Sequence, residues 1–282
     1  MTTVHDRPFR FGVGLFTPVE RAEWVAKARL AEELGYDVVH VSDHLGMPAP
    51  LPTLLLAAEA TERIRVGTLV LNTTFYEPAV LARDIGTIDR YSGGRVEVGL
   101  GAGYERGQFD AAGLPWAPAA ERVAHLERTV DRLKASAGPP VMVAGRGDRV
   151  LRLAAERADV IAFTGTKRVR DGEGLKLGTV EELTDRVEFV HAHLGDRVHD
   201  VELNIPVHRV LLPGAEHVIA DVWQNDLELT VDQLVELPSM LIGTPEECVE
   251  QLHEARKRFG ISYFSVLEPE MMSFSRVIEA MR

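Results

Sequence analysis

The chain has 282 residues, 45% of them hydrophobic and 26% charged, which is enough apolar sequence for a large core. A formal net charge of −12 argues against nucleic acid or an anionic membrane as the main partner. The one cysteine, Cys248, excludes an internal disulfide and fits a reducing cytoplasm. Met1 to Pro8 is polar and lacks the apolar core of a signal peptide. No window approaches the ~18 consecutive apolar residues of a membrane span. A soluble, cytoplasmic chain is expected.

Short apolar runs alternate with longer amphipathic ones. Phe9 to Leu15 reads as strand one, and Glu20 to Leu34 as a helix stopped by Gly35. Val38 to Ser42 is strand two, followed by a helix over Pro52 to Thr61. Arg65 to Leu71 is strand three, and Pro78 to Tyr91 a helix with proline in its first turn. Val96 to Leu100 is strand four, and Pro118 to Ala135 a long helix. Val141 to Ala144, with a helix over Arg149 to Arg157, makes unit five. Asp159 to Phe163, with Val180 to Leu194, makes unit six. Val201 to Leu212 reads as one long strand seven, with Pro206 near its start or at a bulge and a helix after Gly214. Thr244 to Phe259 carries a capping box from Thr244 to Glu247 and ends at Gly260. Ile261 to Leu267 is strand eight, and Phe274 to Met281 closes the chain.

Eight strand–helix units predict an α/β fold, a single (β/α)8 TIM barrel over residues 1–282. A barrel of about 250 residues uses nearly all of this length. A doubly wound open sheet is the competing arrangement, but eight regular units without a composition break favour closure. Gly165 to Gly178 and Asn225 to Leu241 read as insertion loops, the first at the C-terminal face.

In such a barrel the residues just after each strand converge on one cleft. Asp43 and His44 follow strand two directly, in Ser-Asp-His, and are the leading acid–base candidates. Tyr104 and Glu105 follow strand four. Gly99 to Gly103 is glycine-rich, serving either close approach of a phosphate or a tight turn. Gly145-Arg-Gly-Asp148 precedes a helix, and with Arg146 and Arg149 favours a phosphate. Thr164 to Arg170, with Lys176, is basic within an acidic chain: a ligand loop or a solvated one. Phe16, Phe75, Tyr76, Phe109 and Trp116 line an apolar pocket or belong to the core. Asp43, Glu105, Glu268 and Glu270 are the candidates for the two facing carboxylates a glycosidase would need. His191, His193, His199, His208, His217 and His253 do not fall on strand ends with metal spacing, so no metal is expected. No Gly-x-Ser-x-Gly elbow is present, and Cys248 reads as buried packing.

Together these motifs resemble the luciferase-like superfamily, and more closely its coenzyme F420 (deazaflavin)-dependent oxidoreductases of actinobacterial type. The resemblance rests on Val-Ser-Asp-His at 41–44, Gly-Thr-Leu-Val-Leu-Asn at 67–72, Glu-Pro-Ala-Val-Leu-Ala-Arg at 77–83, and the glycine-rich stretch at 92–103. It extends to Ala-Glu-Arg-Ala-Asp-Val-Ile at 155–161 and Gly-Thr-Pro-Glu-Glu at 243–247. It implies hydride transfer between the deazaflavin and a small organic substrate, with His44 acting beside the ring and Asp43 orienting it. Ring contacts are implied from Asp43, Leu69, Val70, Asn72, Gly101 and Gly103, with a cis peptide at Leu69-Val70. Tail contacts are implied from Gly145, Arg146, Gly147, Thr164, Gly165 and Thr166. A homodimer is implied as well. The sugar-phosphate dehydrogenase branch carries a carboxylic acid directly after the last strand-four glycine; here that position is Tyr104, so glucose 6-phosphate is not the expected substrate. Lys167 falls where that branch meets substrate phosphate. An FMN-dependent monooxygenase supplied by a partner reductase is the alternative within the superfamily. A non-redox flavin-binding or hydrolytic barrel is the alternative outside redox chemistry.

Overall fold

A computed structural model of the chain describes residues 7–135, 137–168, 175–214 and 231–282. Its first half runs β1 (Arg10–Gly14), α1 (Arg21–Glu33), β2 (Val38–Val41), α2 (Pro50–Ala60), β3 (Arg65–Thr68), β4 (Leu71–Asn72), α3 (Pro78–Tyr91), β5 (Val96–Gly101), α4 (Arg106–Ala111) and α5 (Ala119–Lys134). There follow β6 (Val141–Ala144), α6 (Asp148–Arg157), β7 (Val160–Ala162), β8 (Thr166–Arg168), β9 (Leu175–Leu177) and α7 (Val180–Leu194). The last part holds β10 (Glu202–Val207), β11 (Arg209–Leu211), α8 (Val231–Val235), β12 (Met240–Ile242), α9 (Pro245–Phe259), β13 (Ile261–Leu267) and α10 (Met271–Met281).

Parallel pairing runs β2-β1-β13-β10-β7-β6-β5, and β3 joins β2 to β5, closing the eight-stranded barrel. The strand period of two sorts the side chains into two layers. In β2, Val39 and Val41 pack outward against the helices, whereas Val38 points inward with Met142, Val160, Ala162 and Tyr263. β5 reads Val-Glu-Val-Gly-Leu-Gly: Val96, Val98 and Leu100 face the helices and leave Glu97 and the glycines inside.

Beside that apolar cluster the interior also carries charge. The Arg10 guanidinium bonds Glu97 at 2.7 Å and Glu202 at 2.5 Å, and lies 4.3 Å over the Tyr263 ring. The Tyr263 hydroxyl donates to Glu97 at 3.0 Å and meets His40 Nε2 at 2.8 Å. Burial pushes the Glu97 carboxyl up, but His40 and Arg10 outweigh it and hold the group well below its usual range. Glu202 shares the same arginine, yet burial dominates and pushes it up. The pair thus divides one cation unequally, as pairing and desolvation dictate.

The helices end as their sequences ask. In α9, Thr244 Oγ1 accepts from Glu247 N at 3.3 Å, Glu247 accepts in return from Thr244 N at 2.7 Å, and Gly260 turns left-handed at φ 72°. α7 repeats the capping box with Thr179 and Glu182. Cys248 is fully buried; burial, with Glu247 and Glu246 nearby, pushes its thiol up to about 11.

Four expectations are corrected. Strand three breaks at Leu69-Val70, leaving β3 and β4 as separate pairings with β5. Strand seven is two strands: β10 stays in the barrel, while β11 pairs with β12 outside it. Pro206 sits late in β10, and the register shift lies earlier, between Leu203 and Asn204. Its tolerance has a simple cause. Asn204 O accepts from Phe163 N, so Pro206, two residues on, turns its missing N–H to the same side, past the last pairing with β7. The third correction is that the loop after strand six contains an antiparallel pair, β8 with β9. Finally, α4 was not anticipated. The helix expected after Gly214, Arg170 of the basic loop and His217 lie outside the described residues.

Candidate active site

The end of β2 is tied to β4. Asp43 is buried, and its Oδ2 accepts from Asn72 N at 3.0 Å. Burial pushes this carboxyl up, against the Asn72 amide and the Tyr76 hydroxyl that bond it. Tyr76 in turn is pushed up, by burial first and then by Asp43. Asp43 therefore anchors the strand end, feels the neighbouring His44 through space, and leaves the hydrogen bond at the His44 ring to Gln108.

His44 is partly exposed at the mouth, its side chain 30% accessible. The Gln108 amide nitrogen meets its Nδ1 and also donates to Glu105 Oε2 at 2.6 Å. Glu105 lies 3.7 Å from the same Nδ1. The Tyr104 ring stands edge-on to the imidazole, centroids 6.2 Å apart. The structure thus brings His44, Tyr104 and Glu105 together as the sequence suggested. It adds Gln108, which belongs to a helix too short to show a hydrophobic period.

The strand-four glycines have a packing role of their own. The Leu69-Val70 peptide is cis, and between β3 and β4 the Thr68 hydroxyl takes over the ladder: it accepts from Gly99 N and donates to Gly99 O, both at 2.8 Å. A Cβ on Gly99 would sit 2.1 Å from Thr68 O, and one on Gly101 2.9 Å from Val70. Gly103, at φ 70°, would put a Cβ 2.5 Å from Asn72 Oδ1. Asn72 is itself occupied, accepting from Thr74 N and Oγ1.

The other glycine turn builds a cavity. Gly145, Arg146, Gly147 and Thr164, Gly165, Thr166 line one space of about 360 Å³ together with Lys167, Thr179, Glu182 and Arg186. The first turns of α6 and α7 border it, and a Cβ on Gly147 would meet nothing within 4 Å. Arg186 bonds Asp148 and Asp185, each at 2.5 Å, Lys167 stands 3.7 Å from Glu182, and Arg146 donates to Thr166 O at 3.4 Å.

Several candidates have other employment. Glu268 accepts from Phe16 N, Thr17 N and Thr17 Oγ1, and pairs with Lys27 at 2.7 Å. Burial works to raise it, but Lys27 and those donors hold it below its usual range. Glu270 caps Val210 N at 2.9 Å. Two of the four candidate carboxylates of the hydrolytic reading thus have structural partners. Phe109 is fully buried between Phe75 and Trp116, so it is core and not pocket wall. Among the described residues no His, Cys, Asp and Glu cluster could hold a metal, and no helix is long and apolar enough to cross a membrane.

The family model described as luciferase-like monooxygenase matches residues 6–183, more than half of the sequence. The chain belongs to that family. Among curated proteins it is 39% identical over 126 residues to an F420-dependent glucose-6-phosphate dehydrogenase of Beutenbergia cavernae, a match covering 41% of this chain and 37% of the relative. It therefore aligns with little more than a third of that dehydrogenase. A 5,10-methylenetetrahydromethanopterin reductase of Archaeoglobus fulgidus is 22% identical over 302 residues, covering 88% of this chain and 90% of the relative. Among solved structures, an F420-dependent secondary alcohol dehydrogenase in complex with an F420–acetone adduct superposes with a TM-score of 0.73 at 17% identity, covering 98% and 100% of the two chains. A long-chain alkane monooxygenase superposes at 0.76 with 12% identity, covering 98% and 91%. At such identities the superpositions show the luciferase-like barrel fold.

Proposed function

We propose that this luciferase-like barrel is an F420-dependent oxidoreductase acting on a small organic substrate. The observation that carries the reading is the cavity of about 360 Å³ between the amino ends of α6 and α7, past the carboxyl ends of β6 and β7 and across the barrel mouth from β2 and His44. An anionic tail fits it: the amino end of α6 has no side-chain cap, Gly147 leaves open space, and Arg146, Lys167 and Arg186 bring cations, the last two already paired with Glu182, Asp148 and Asp185. The names of curated relatives support a deazaflavin over FMN. Gly145, Arg146, Gly147, Thr164, Gly165 and Thr166 would hold the tail; Leu69, Val70, Asn72, Gly101 and Gly103 would flank the ring. When bound, a deazaflavin supplies or accepts a hydride and is poor at activating oxygen.

The chain's own residues do the rest. His44 stands partly open at the mouth, and in this reading it would meet the acceptor atom of the substrate. Asp43 and Tyr76 hold the end of β2 rigid beneath it, so that reacting atoms meet in a fixed geometry. Tyr104 stands where the sugar-phosphate branch has an acid, which favours a substrate other than glucose 6-phosphate.

Fluorescence titration with a deazaflavin and, separately, with FMN tests the cofactor. Saturable deazaflavin binding is expected; tight FMN binding with none for deazaflavin would overturn the reading in favour of the monooxygenase. Once a substrate is in hand, His44→Ala should bind the cofactor as wild type does and lower the hydride-transfer rate on the order of 10². An unchanged rate would remove His44 from the mechanism.

A further inference from the structure

We infer that Gln108 is a positioning residue that fixes the tautomer of His44, so that the imidazole presents Nε2–H to the reacting atoms as a neutral hydrogen-bond donor. The orientation of the Gln108 amide decides this, and two partners set it. Leu45 N is a donor only, and it meets Gln108 Oε1 at 3.2 Å. The Glu105 carboxylate is an acceptor, and it lies 2.6 Å from Gln108 Nε2. Both contacts turn the NH2 group toward His44 Nδ1. An amide NH2 can only donate, so Nδ1 must offer its lone pair, and the single proton of a neutral imidazole then sits on Nε2.

Flipping the amide to accept from a protonated Nδ1 would set NH2 against the Leu45 N–H and Oε1 against the Glu105 carboxylate. That exchange makes two repulsions for one new bond. Other groups facing the ring do not reverse the result. Asp43, on the same strand end, is engaged by Asn72 N and Tyr76. Tyr104 offers a ring edge. Glu105 favours positive charge on the ring through space, at 3.7 Å, but the oxygen concerned already accepts from Gln108. Among the described residues no hydrogen bond occupies Nε2.

A neutral imidazole held in this way polarises an oxygen and steadies the charge that develops on it, without passing through imidazolium. The catalytic meaning rests on the hydride-transfer reading above: His44 would bind the acceptor oxygen of the substrate and would not serve as a base in this state. The tautomer itself does not depend on that reading.

The test uses the full chain labelled with 15N-histidine, with and without an added deazaflavin, and two-bond 1H–15N spectra at neutral pH. His44→Asn assigns the signal by removing one of the ten histidine patterns. The expected wild-type pattern is a pyridine-like Nδ1 and a pyrrole-like Nε2. In Gln108→Glu the new carboxylate accepts from Nδ1–H, so Nδ1 should read as protonated. In Gln108→Leu the two tautomers should mix. A protonated Nδ1 in the wild type would overturn the inference, and so would a His44 pattern unmoved by both substitutions. The wild-type measurement stands even if a variant fails to fold. Failure to bind a deazaflavin would count against the proposed function and leave the tautomer to be decided by the same spectra.

Discussion

Gly99 shows how closely the mouth is built. The atom its Cβ would strike is the Thr68 carbonyl oxygen, 2.1 Å away and part of the main chain, so no rotamer change relieves it. Gly99→Ala should therefore lower stability by about 3 kcal/mol, as strong overpacking does, read as a fall in the urea midpoint. Gly86 is the control: it lies inside α3 with nothing within 4 Å of an added methyl, and Gly86→Ala should raise stability by about 0.5–1 kcal/mol. A neutral Gly99→Ala would mean that the Thr68 backbone yields. At this scale the sequence was legible where a residue type is rare at its position: Asp43-His44 at a strand end announced itself. Gln108 did not, because a single glutamine carries no pattern, and its value comes only from Leu45, His44 and Glu105 arriving around it.

The helices were legible wherever they carried explicit end signals. Thr244-Pro-Glu-Glu and Gly260 marked α9 at both ends, and the same logic holds α7 at Thr179. Each cap satisfies a donor that would otherwise be orphaned. Thr179→Ala and Thr244→Ala should each cost about 1 kcal/mol, and the double variant about 2 kcal/mol, because the two caps belong to different helices. Equilibrium denaturation of the three variants checks this, and a double variant no weaker than either single one would contradict it. Strand seven was misread because apolar residues recur along Val201 to Leu212 on both sides of the break, and the polar pair His208-Arg209 there is too short to mark a boundary. Only the partner, β12, reveals that Arg209–Leu211 has left the barrel. Strand three was misread for a similar reason: Gly-Thr-Leu-Val-Leu-Asn keeps strand composition across the break at Leu69-Val70.

Across the whole molecule, the closed barrel was legible in eight repeated units, but its contents were not. Arg10, His40, Glu97, Glu202 and Tyr263 lie on five different strands, and nothing in their spacing relates them; closure of the sheet does. Their ionic character makes a pH prediction. Glu97 falls from the ordinary 4.5 to about 2 in the fold, so its contribution is fully present above 4.5 and is lost as pH drops through that window. Glu202, pushed up by burial, works in the opposite sense and relaxes on protonation. Stability should decline between about pH 4.5 and 2, and Glu97→Gln should flatten that slope, as followed by thermal melts across the range. An equally steep decline in the variant would assign acid sensitivity to other groups. The same network also decides which end of the barrel is left for ligands. Arg10 and Glu202 open β1 and β10, so the charge sits toward the amino end of the sheet, and the loops that carry His44 and Gln108 stand at the other end.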